Sequence, residues 1–252
     1  NGDYFKNLDN FNLIQLSVFA NKPKINAYKY LYVSKWVKNY SKFRYPWQYI
    51  KYKLNKKNDI HVLPHILREM GPKNNIKDID KFKKKHNINK KLFLVGRYGG
   101  YDSFDIPFVK EAIKEILRND KNIFFIFCNT EPFIIDQRVR FIDKLIADKD
   151  KSLFLDSIDL FIHARNRGET FGLSIYEALN RGIPVISYGK SKERNHIFDI
   201  ESIDCLYNNK FQLIQLLKNK KRFLDLKNTN LWFNKFKEND ISQSLKFIFE
   251  IS

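Results

Sequence analysis

Two glutamates stand eight residues apart, Glu169 and Glu177, in the block Arg167-Gly168-Glu169-Thr170-Phe171-Gly172-Leu173-Ser174-Ile175-Tyr176-Glu177-Ala178-Leu179-Asn180-Arg181-Gly182-Ile183-Pro184-Val185-Ile186. A carboxylate is an acceptor-only group, suited to a pair of vicinal hydroxyls. The block reads as a polar loop from Arg165 to Thr170, a helix from Phe171 or Gly172 to about Asn180, a stop at Gly182 and a buried strand from Ile183 to Ser187. Eight positions are slightly more than two helical turns, so the carboxylates share a face, about 12 Å apart along the axis if both are helical. The amides of Phe171, Gly172 and Leu173 lack intrahelical partners and make the helix mouth a place for an anion. The plain alternative is a solvated helix carrying two surface glutamates.

A second group is Val95-Gly96-Arg97-Tyr98-Gly99-Gly100, at the end of a strand, where open α/β sheets bind ligands. Gly99 and Gly100 either let backbone amides approach phosphate oxygens or form an ordinary turn. Arg97 supplies a permanent planar charge. The segment matches neither a Walker loop nor a complete G-x-G-x-x-G, so ATPase and NAD chemistry have no motif. Arg165 ends the strand before the glutamate loop, where a cation beside an anion site has a reason to stand; His163 reads as structural. Arg194-Asn195-His196 falls on the same sheet edge and either completes the site or forms a solvated loop. Asn129-Thr130-Glu131 is a weaker candidate for a base or sugar, and His61 and His65 flank Pro64 in structural roles. Asp78-Ile79-Asp80 and Asp148-Lys149-Asp150 are better explained as caps and solvated turns than as metal ligands, and no His/Cys spacing suits zinc. No metal site is expected.

The glutamate block resembles the donor-binding signature of the retaining glycosyltransferases of family 4 (glycosyl transferases group 1), the E-x7-E group with the GT-B fold. Its elements occur here in order: Glu169, Phe171-Gly172, Glu177-Ala178 and Gly182-Ile183-Pro184-Val185-Ile186. The resemblance implies that Glu177 bonds the ribose hydroxyls of a nucleotide sugar and that Glu169 faces the transferred sugar. It places Thr170 and the amides of Phe171, Gly172 and Leu173 around the sugar and diphosphate. Arg97 would meet the diphosphate, with Gly99, Gly100, Arg165, Arg194 and Asn195 completing the donor set and Glu169 and Arg97 as the catalytic pair. The family usually has a lysine a few residues after its Gly-Arg; this chain has Asp102-Ser103-Phe104-Asp105, leaving Arg165, Arg167 and Arg194 as candidates for the second cation. The implied activity is metal-independent hexosyl transfer with retention, without a cofactor beyond the nucleoside-diphosphate sugar. The acceptor is a glycan, lipid or protein. Rival readings are a nucleotide-sugar epimerase of GT-B architecture, a donor-binding pseudoenzyme and a basic nucleic-acid-binding protein.

These residues need an α/β framework. From Lys91 to Ser252 apolar runs alternate with helical periods, the mark of an α/β domain with a parallel sheet; the resemblance implies that this part is a GT-B-like Rossmann donor-binding domain. Strands are expected at Leu92–Gly96, Ile123–Cys128, Val139–Leu145 and Asp159–His163. Helices are expected at Pro107–Asn119, with Pro107 in the tolerated first turn, and at Asp150–Ser157, Lys210–Asn219, Asn230–Glu238 and Ile241–Ile251. Residues 1–70 read as a short or truncated acceptor-side part with strands at Phe11–Ala20, Tyr30–Ser34 and Ile60–Pro64. Between Trp36 and Tyr52 aromatics interleave with Lys and Arg. Residues 71–90, with Gly71-Pro72 and Lys83-Lys84-Lys85, read as a basic linker.

Composition sets the remaining bounds. In 252 residues, 43% apolar content suffices for a sizeable core, and the net charge of +18 is spread along the whole chain rather than gathered in one arm. Such a field attracts diphosphates, nucleic acids and anionic membranes alike; peripheral membrane contact fits it, and no nucleic-acid module signature is present. Two cysteines, Cys128 and Cys205, form no disulfide framework. No apolar run reaches the roughly 20 residues that cross a bilayer, and a cytoplasmic location is expected. The chain begins Asn1-Gly2 rather than with Met, which suggests a processed product or a fragment.

Overall fold

The computed structural model describes residues 14–20, 27, 29–54, 59–201, 204–228, 236 and 238–249. In chain order, β1 (Ile14–Ser17) and β2 (Lys29–Tyr32) precede α1 (Lys35–Arg44), α2 (Pro46–Leu54) and β3 (Asp59–Val62). These strands pair in parallel with β2 in the middle, Leu31 standing opposite Leu16 and His61. Then come α3 (Ile76–Lys85), β4 (Phe93–Tyr98), α4 (Pro107–Asn119), β5 (Ile123–Cys128), β6 (Val139–Ile142), α5 (Asp148–Ser157) and β7 (Leu160–His163). The short strand β8 (Gly168–Glu169) leads to α6 (Leu173–Asn180), β9 (Val185–Tyr188), β10 (Glu193–Arg194) and α7 (Asn195–Glu201). The last described elements are β11 (Leu206–Tyr207), α8 (Lys210–Lys218), α9 (Lys220–Asn228) and α10 (Glu238–Phe249).

Six parallel strands form the larger sheet in the order β11-β9-β7-β4-β5-β6. All six residues of β5, Ile-Phe-Phe-Ile-Phe-Cys, are buried, as expected of a parallel strand covered on both faces. From β4 the chain winds outward through β5 and β6; from β7 it winds the other way through β9 and β11. The neighbours β4 and β7 therefore flank the topological switch point, where the loops after their carboxyl ends diverge and leave a crevice.

Several expectations change in the structure. Residues 71–90, read as a basic linker, contain a helix not expected from the sequence, α3, capped by the Asn75 side chain, which accepts from the Asp78 amide at 2.9 Å. Its one buried residue, Phe82, meets Phe154 of α5 edge-on at 6.3 Å. The Lys83-Lys84-Lys85 run forms its last turn, where cations suit the helix dipole. The aromatic, basic stretch after Trp36 is α1 and α2, broken where Pro46 opens the second helix. The strand expected to reach Leu145 ends at Ile142, and α10 begins at Glu238 rather than Ile241. The helix expected at Asn230–Glu238 lies, apart from Phe236 and Glu238, outside the described residues.

Arg181, at the end of α6, is buried and ties the segment before α3 to α5. Its guanidinium donates to Asp156 at 2.8 and 2.5 Å and to the carbonyls of Gly71 and Pro72 at 3.1 Å. Asn74 adds its amide and its side chain to the same carboxylate, both at 2.8 Å. Among the described residues no helix is long and apolar enough to cross a membrane.

Candidate active site

A cavity of ≈ 440 Å³ opens at the carboxyl ends of β4 and β7. Ten of the residues singled out from sequence line it: Arg97, Gly99, Gly100, Arg165, Glu169, Thr170, Phe171, Gly172, Leu173 and Glu177.

Glu169 is placed by a short parallel pairing of β8 with β10, in which Gly168 stands opposite Glu193 and Glu169 opposite Arg194. Gly168 sits at φ +78°, and a side chain there would run into the carbonyl of Glu193, so only glycine fits. The Glu169 carboxylate accepts from Arg165 at 3.1 Å and lies 3.3 Å from Nε2 of His163. Nδ1 of His163 is 2.8 Å from the Ser187 hydroxyl, which is 3.2 Å from Nε2 of the fully buried His196. Burial works to raise the Glu169 pKa, but His163 and Arg165 more than offset it and leave the carboxyl below its ordinary range. It is therefore ionised at neutral pH. Burial holds His196 neutral, far below the ordinary imidazole value.

Glu177 projects from the middle of α6 and accepts a short hydrogen bond from the Tyr98 hydroxyl at the end of β4. Burial raises its pKa. Gly172, at φ +102°, caps α6 without a side chain to offer the first helical amides, and Gly172, Leu173 and Ser174 all line the cavity. Open amides at a helix N-terminus favour negative charge nearby.

Arg97 departs from expectation. It lies in the cavity wall but is only 3% exposed, with both terminal nitrogens engaged by protein acceptors. One donates to the carbonyls of Cys128 at 3.4 Å and Asn129 at 3.0 Å and to the Thr130 hydroxyl; the other donates to the Gly100 carbonyl at 2.7 Å and the Ser103 hydroxyl at 2.6 Å. Among the described residues no carboxylate pairs with it. Burial pulls its pKa down to about 10, so it stays charged at neutral pH. It organises the glycine loop and places a buried positive charge in the cavity wall, within the field of Glu169 and Asp102.

The stretch where a lysine is usual serves the same framework: Ser103 holds Arg97, and Asp105 accepts from the Asn166 amide at 2.7 Å. Asn129, expected as a weak ligand candidate, donates to the Gly99 carbonyl at 2.7 Å. Two donor-set residues do not reach the cavity. Arg194 donates to the Gly189 carbonyl at 2.8 Å, and Asn195, opening α7, bonds the Phe171 carbonyl at 3.3 Å and the Tyr176 hydroxyl at 3.0 Å behind the loop. Arg167 is turned to Glu193 at 3.0 Å. The cations at the cavity besides Arg97 are Arg165 and Lys151, the latter from α5 and absent from the sequence reading. Tyr98, His163 and His65 also line it; His65 packs edge-on against Phe171 at 5.2 Å. The β1–β3 part is fastened to the glutamate loop by Ser34, whose hydroxyl caps α1 and donates to the Thr170 carbonyl at 2.7 Å. Among the described residues no group of three or more His, Cys, Asp or Glu side chains is placed to hold a metal ion.

A doubly wound parallel sheet with a crevice at its switch point is the architecture of a GT-B-like Rossmann domain. The chain belongs to the glycosyl transferases group 1 family, whose model matches residues 48–199. Among solved structures it is similar to Anabaena Alr3699/HepE, solved with UDP and glucose, at 13% identity and a TM-score of 0.66, over 90% of this chain and 64% of that one. It is similar to WaaG, a glycosyltransferase involved in lipopolysaccharide biosynthesis, at 13% identity and a TM-score of 0.62, over 98% and 80% of the two chains. A glycosyltransferase from Rickettsia africae ESF-5 matches at 15% identity and a TM-score of 0.60, over 89% and 64%. At these identities the likeness is one of fold, and the chain spans 64% of the Anabaena and Rickettsia proteins. No curated protein matches the sequence.

Proposed function

We propose that the cavity binds a nucleoside-diphosphate sugar and that the protein transfers its hexosyl group to an acceptor hydroxyl with retention of configuration and without a metal ion. The observation that carries this reading is the convergence of Glu169, Glu177 and the open amides of α6 on one cavity beside the buried charge of Arg97. Glu177, already an acceptor for Tyr98, takes the ribose hydroxyls. The diphosphate lies against the mouth of α6 and the Gly99–Gly100 turn, with Arg165 and the field of Arg97 balancing its charge. Glu169, ionised and fixed by His163 and Arg165, accepts from hydroxyls of the transferred sugar.

As the glycosidic bond to the diphosphate breaks, negative charge grows on the leaving oxygens. Preorganised amides and cations in a water-poor site stabilise that charge without reorganising, which is the main catalytic contribution expected here. The acceptor hydroxyl attacks from the face the diphosphate leaves, and its proton passes to the departing phosphate oxygen, so no enzyme nucleophile is needed. The acceptor is a glycan, lipid or protein hydroxyl presented from the β1–β3 side.

The test is a calorimetric panel of UDP-, GDP- and ADP-sugars, followed by NMR assignment of the product anomer with and without acceptor. One donor class binding well above its bare sugar, with an acceptor-dependent product of unchanged anomeric configuration, is the expected result. An inverted product removes retention, and an acceptor-independent sugar isomer points to epimerase chemistry instead.

A further inference from the structure

From Lys35 to Leu54 the chain carries six Lys or Arg and seven Trp, Tyr or Phe without a single acidic residue. In the structure these residues are α1 and α2, and no described residue of α2 is fully buried. Trp47, Ile50 and Leu54, spaced three and four apart, share one side of α2 and are 79%, 48% and 77% exposed; Phe43 at the end of α1 is 83% exposed. Lys42 and Ile50 border one shallow depression with Phe43 and Tyr49, and the Lys42 ammonium lies 5.6 Å from the Tyr49 ring centre. Lys35, Arg44 and Lys51 are exposed on the same two helices.

We propose that the α1–α2 pair docks on an anionic lipid bilayer, with Phe43, Trp47, Ile50 and Leu54 entering the interfacial region and the flanking cations meeting lipid phosphates. Exposed apolar side chains rimmed by cations, on helices that carry no acidic residue, suit the boundary between headgroups and acyl chains, where Trp and Tyr are also enriched. A negatively charged leaflet supplies the complementary charge. Single-stranded nucleic acid would need free aromatic faces. Here Trp36 and Tyr40 are stacked on each other at 4.9 Å, Arg44 lies over Tyr45, and Ile50 and Leu54 have no ring to stack. The bilayer uses the whole exposed set, and nucleic acid uses only part of it. Docking also has a consequence for the donor cavity, because α1 is bonded through Ser34 to the Thr170 carbonyl beside Glu169. A bilayer holding α1 and α2 therefore fixes the orientation of the glutamate loop to the lipid surface.

The experiment is co-sedimentation of the whole chain with vesicles of phosphatidylcholine alone and of phosphatidylcholine mixed equally with phosphatidylglycerol, with tryptophan emission recorded in parallel. Wild type is expected to bind the mixed vesicles, to bind neutral ones weakly, and to shift its emission to the blue, with that shift lost in Trp47→Phe. The double variant Lys42→Ser/Lys51→Ser should bind mixed vesicles roughly 25-fold more weakly, since each cation near such a surface is worth about fivefold. Phe43→Ser/Trp47→Ser should lose at least as much. Both pairs replace exposed side chains, and unchanged melting temperatures and nucleotide-sugar binding would show that the fold is intact. Absence of binding to mixed vesicles, or binding that both double variants leave unchanged, overturns the proposal. A Trp47 signal moved by single-stranded RNA and not by vesicles would assign the face to nucleic acid and overturn it equally.

Discussion

Removing Arg97 separates two roles that coincide in one side chain. In Arg97→Ala the acceptors do not all lose their partners, because the Thr130 hydroxyl still donates to the Cys128 carbonyl at 3.1 Å and the Ser103 hydroxyl to the Gly100 carbonyl at 2.8 Å. The Asn129 carbonyl loses its donor, and the two loops lose their shared tie. A hydrogen bond to a charged group contributes about 1.5–3 kcal/mol and an orphaned buried group costs about 1–3 kcal/mol. Removing a buried, unpaired charge returns part of that sum, so a net loss of about 3 kcal/mol is expected, or roughly 6–12 °C in Tm for a chain of this size. The same substitution should weaken nucleoside diphosphate binding more than binding of the matching nucleoside, because the proposed reading sets the diphosphate within the field of that charge. Arg97→Lys restores the charge without the planar fork, so it should recover much of the diphosphate affinity and little of the Tm. Calorimetric titration and thermal melts read the two quantities separately. A wild-type Tm in Arg97→Ala would refute the network, and equal losses for nucleoside and diphosphate would refute the electrostatic role.

Other perturbations follow from the same geometry. Glu169→Gln should lower kcat far more than it weakens bare nucleoside diphosphate, measured by steady-state kinetics against titration; equal losses would place the residue on the nucleotide. Gly168→Ala forces a side chain into the Glu193 carbonyl at a positive φ, so it should displace Glu169, lower Tm and reduce turnover at least tenfold, whereas an unchanged enzyme would show that the β8–β10 pairing does not position the loop. For Asp156, burial favours the neutral acid, but Arg181 and Asn74 more than compensate and depress the folded-state pKa. Its contribution is therefore present above the ordinary carboxyl value and lost as pH falls through the depressed one. Asp156→Asn should cost about 3–5 kcal/mol at neutral pH by leaving Arg181 buried without its anion, and melts recorded from pH 7 downward should lose part of their acid dependence; the full wild-type acid slope would contradict the assignment.

Much of this architecture was legible in the residues because local signals and tertiary demand agreed. Pro107 at the first helical position fixed the start of α4, and an uninterrupted apolar run marked β5 as covered on both faces. Glu169 and Glu177 could be placed near one helix mouth from spacing alone, although Glu169 lies on β8 before the helix begins. What escaped depended on pairing distant in sequence. The two-residue strands β8 and β10 have no local signature, and Arg194 and Asn195 bond protein groups instead of lining the cavity. Helix α3 was hidden by its charge, since only Phe82 is buried. Lys151 belongs to a helix read as part of the framework, and only the packing of α5 beside β4 brings it to the site. Tyr98 lay within the recognised Gly-Arg segment; its position at the end of β4 was the available signal. Arg97 was found, but a sequence does not show that the carbonyls of two loops occupy its guanidinium.

The central claim is that Glu177 holds the ribose of a nucleotide sugar, and calorimetric titration of wild type and Glu177→Ala with the best-bound donor tests it most directly. Loss of hydrogen bonds to a charged acceptor predicts roughly ten- to a hundredfold weaker binding. Removing the carboxylate also leaves the Tyr98 hydroxyl without its acceptor, at a cost of about 1–3 kcal/mol, so a lowered melting temperature is expected in a protein that still folds. Undiminished donor affinity in a folded Glu177→Ala protein would contradict the account.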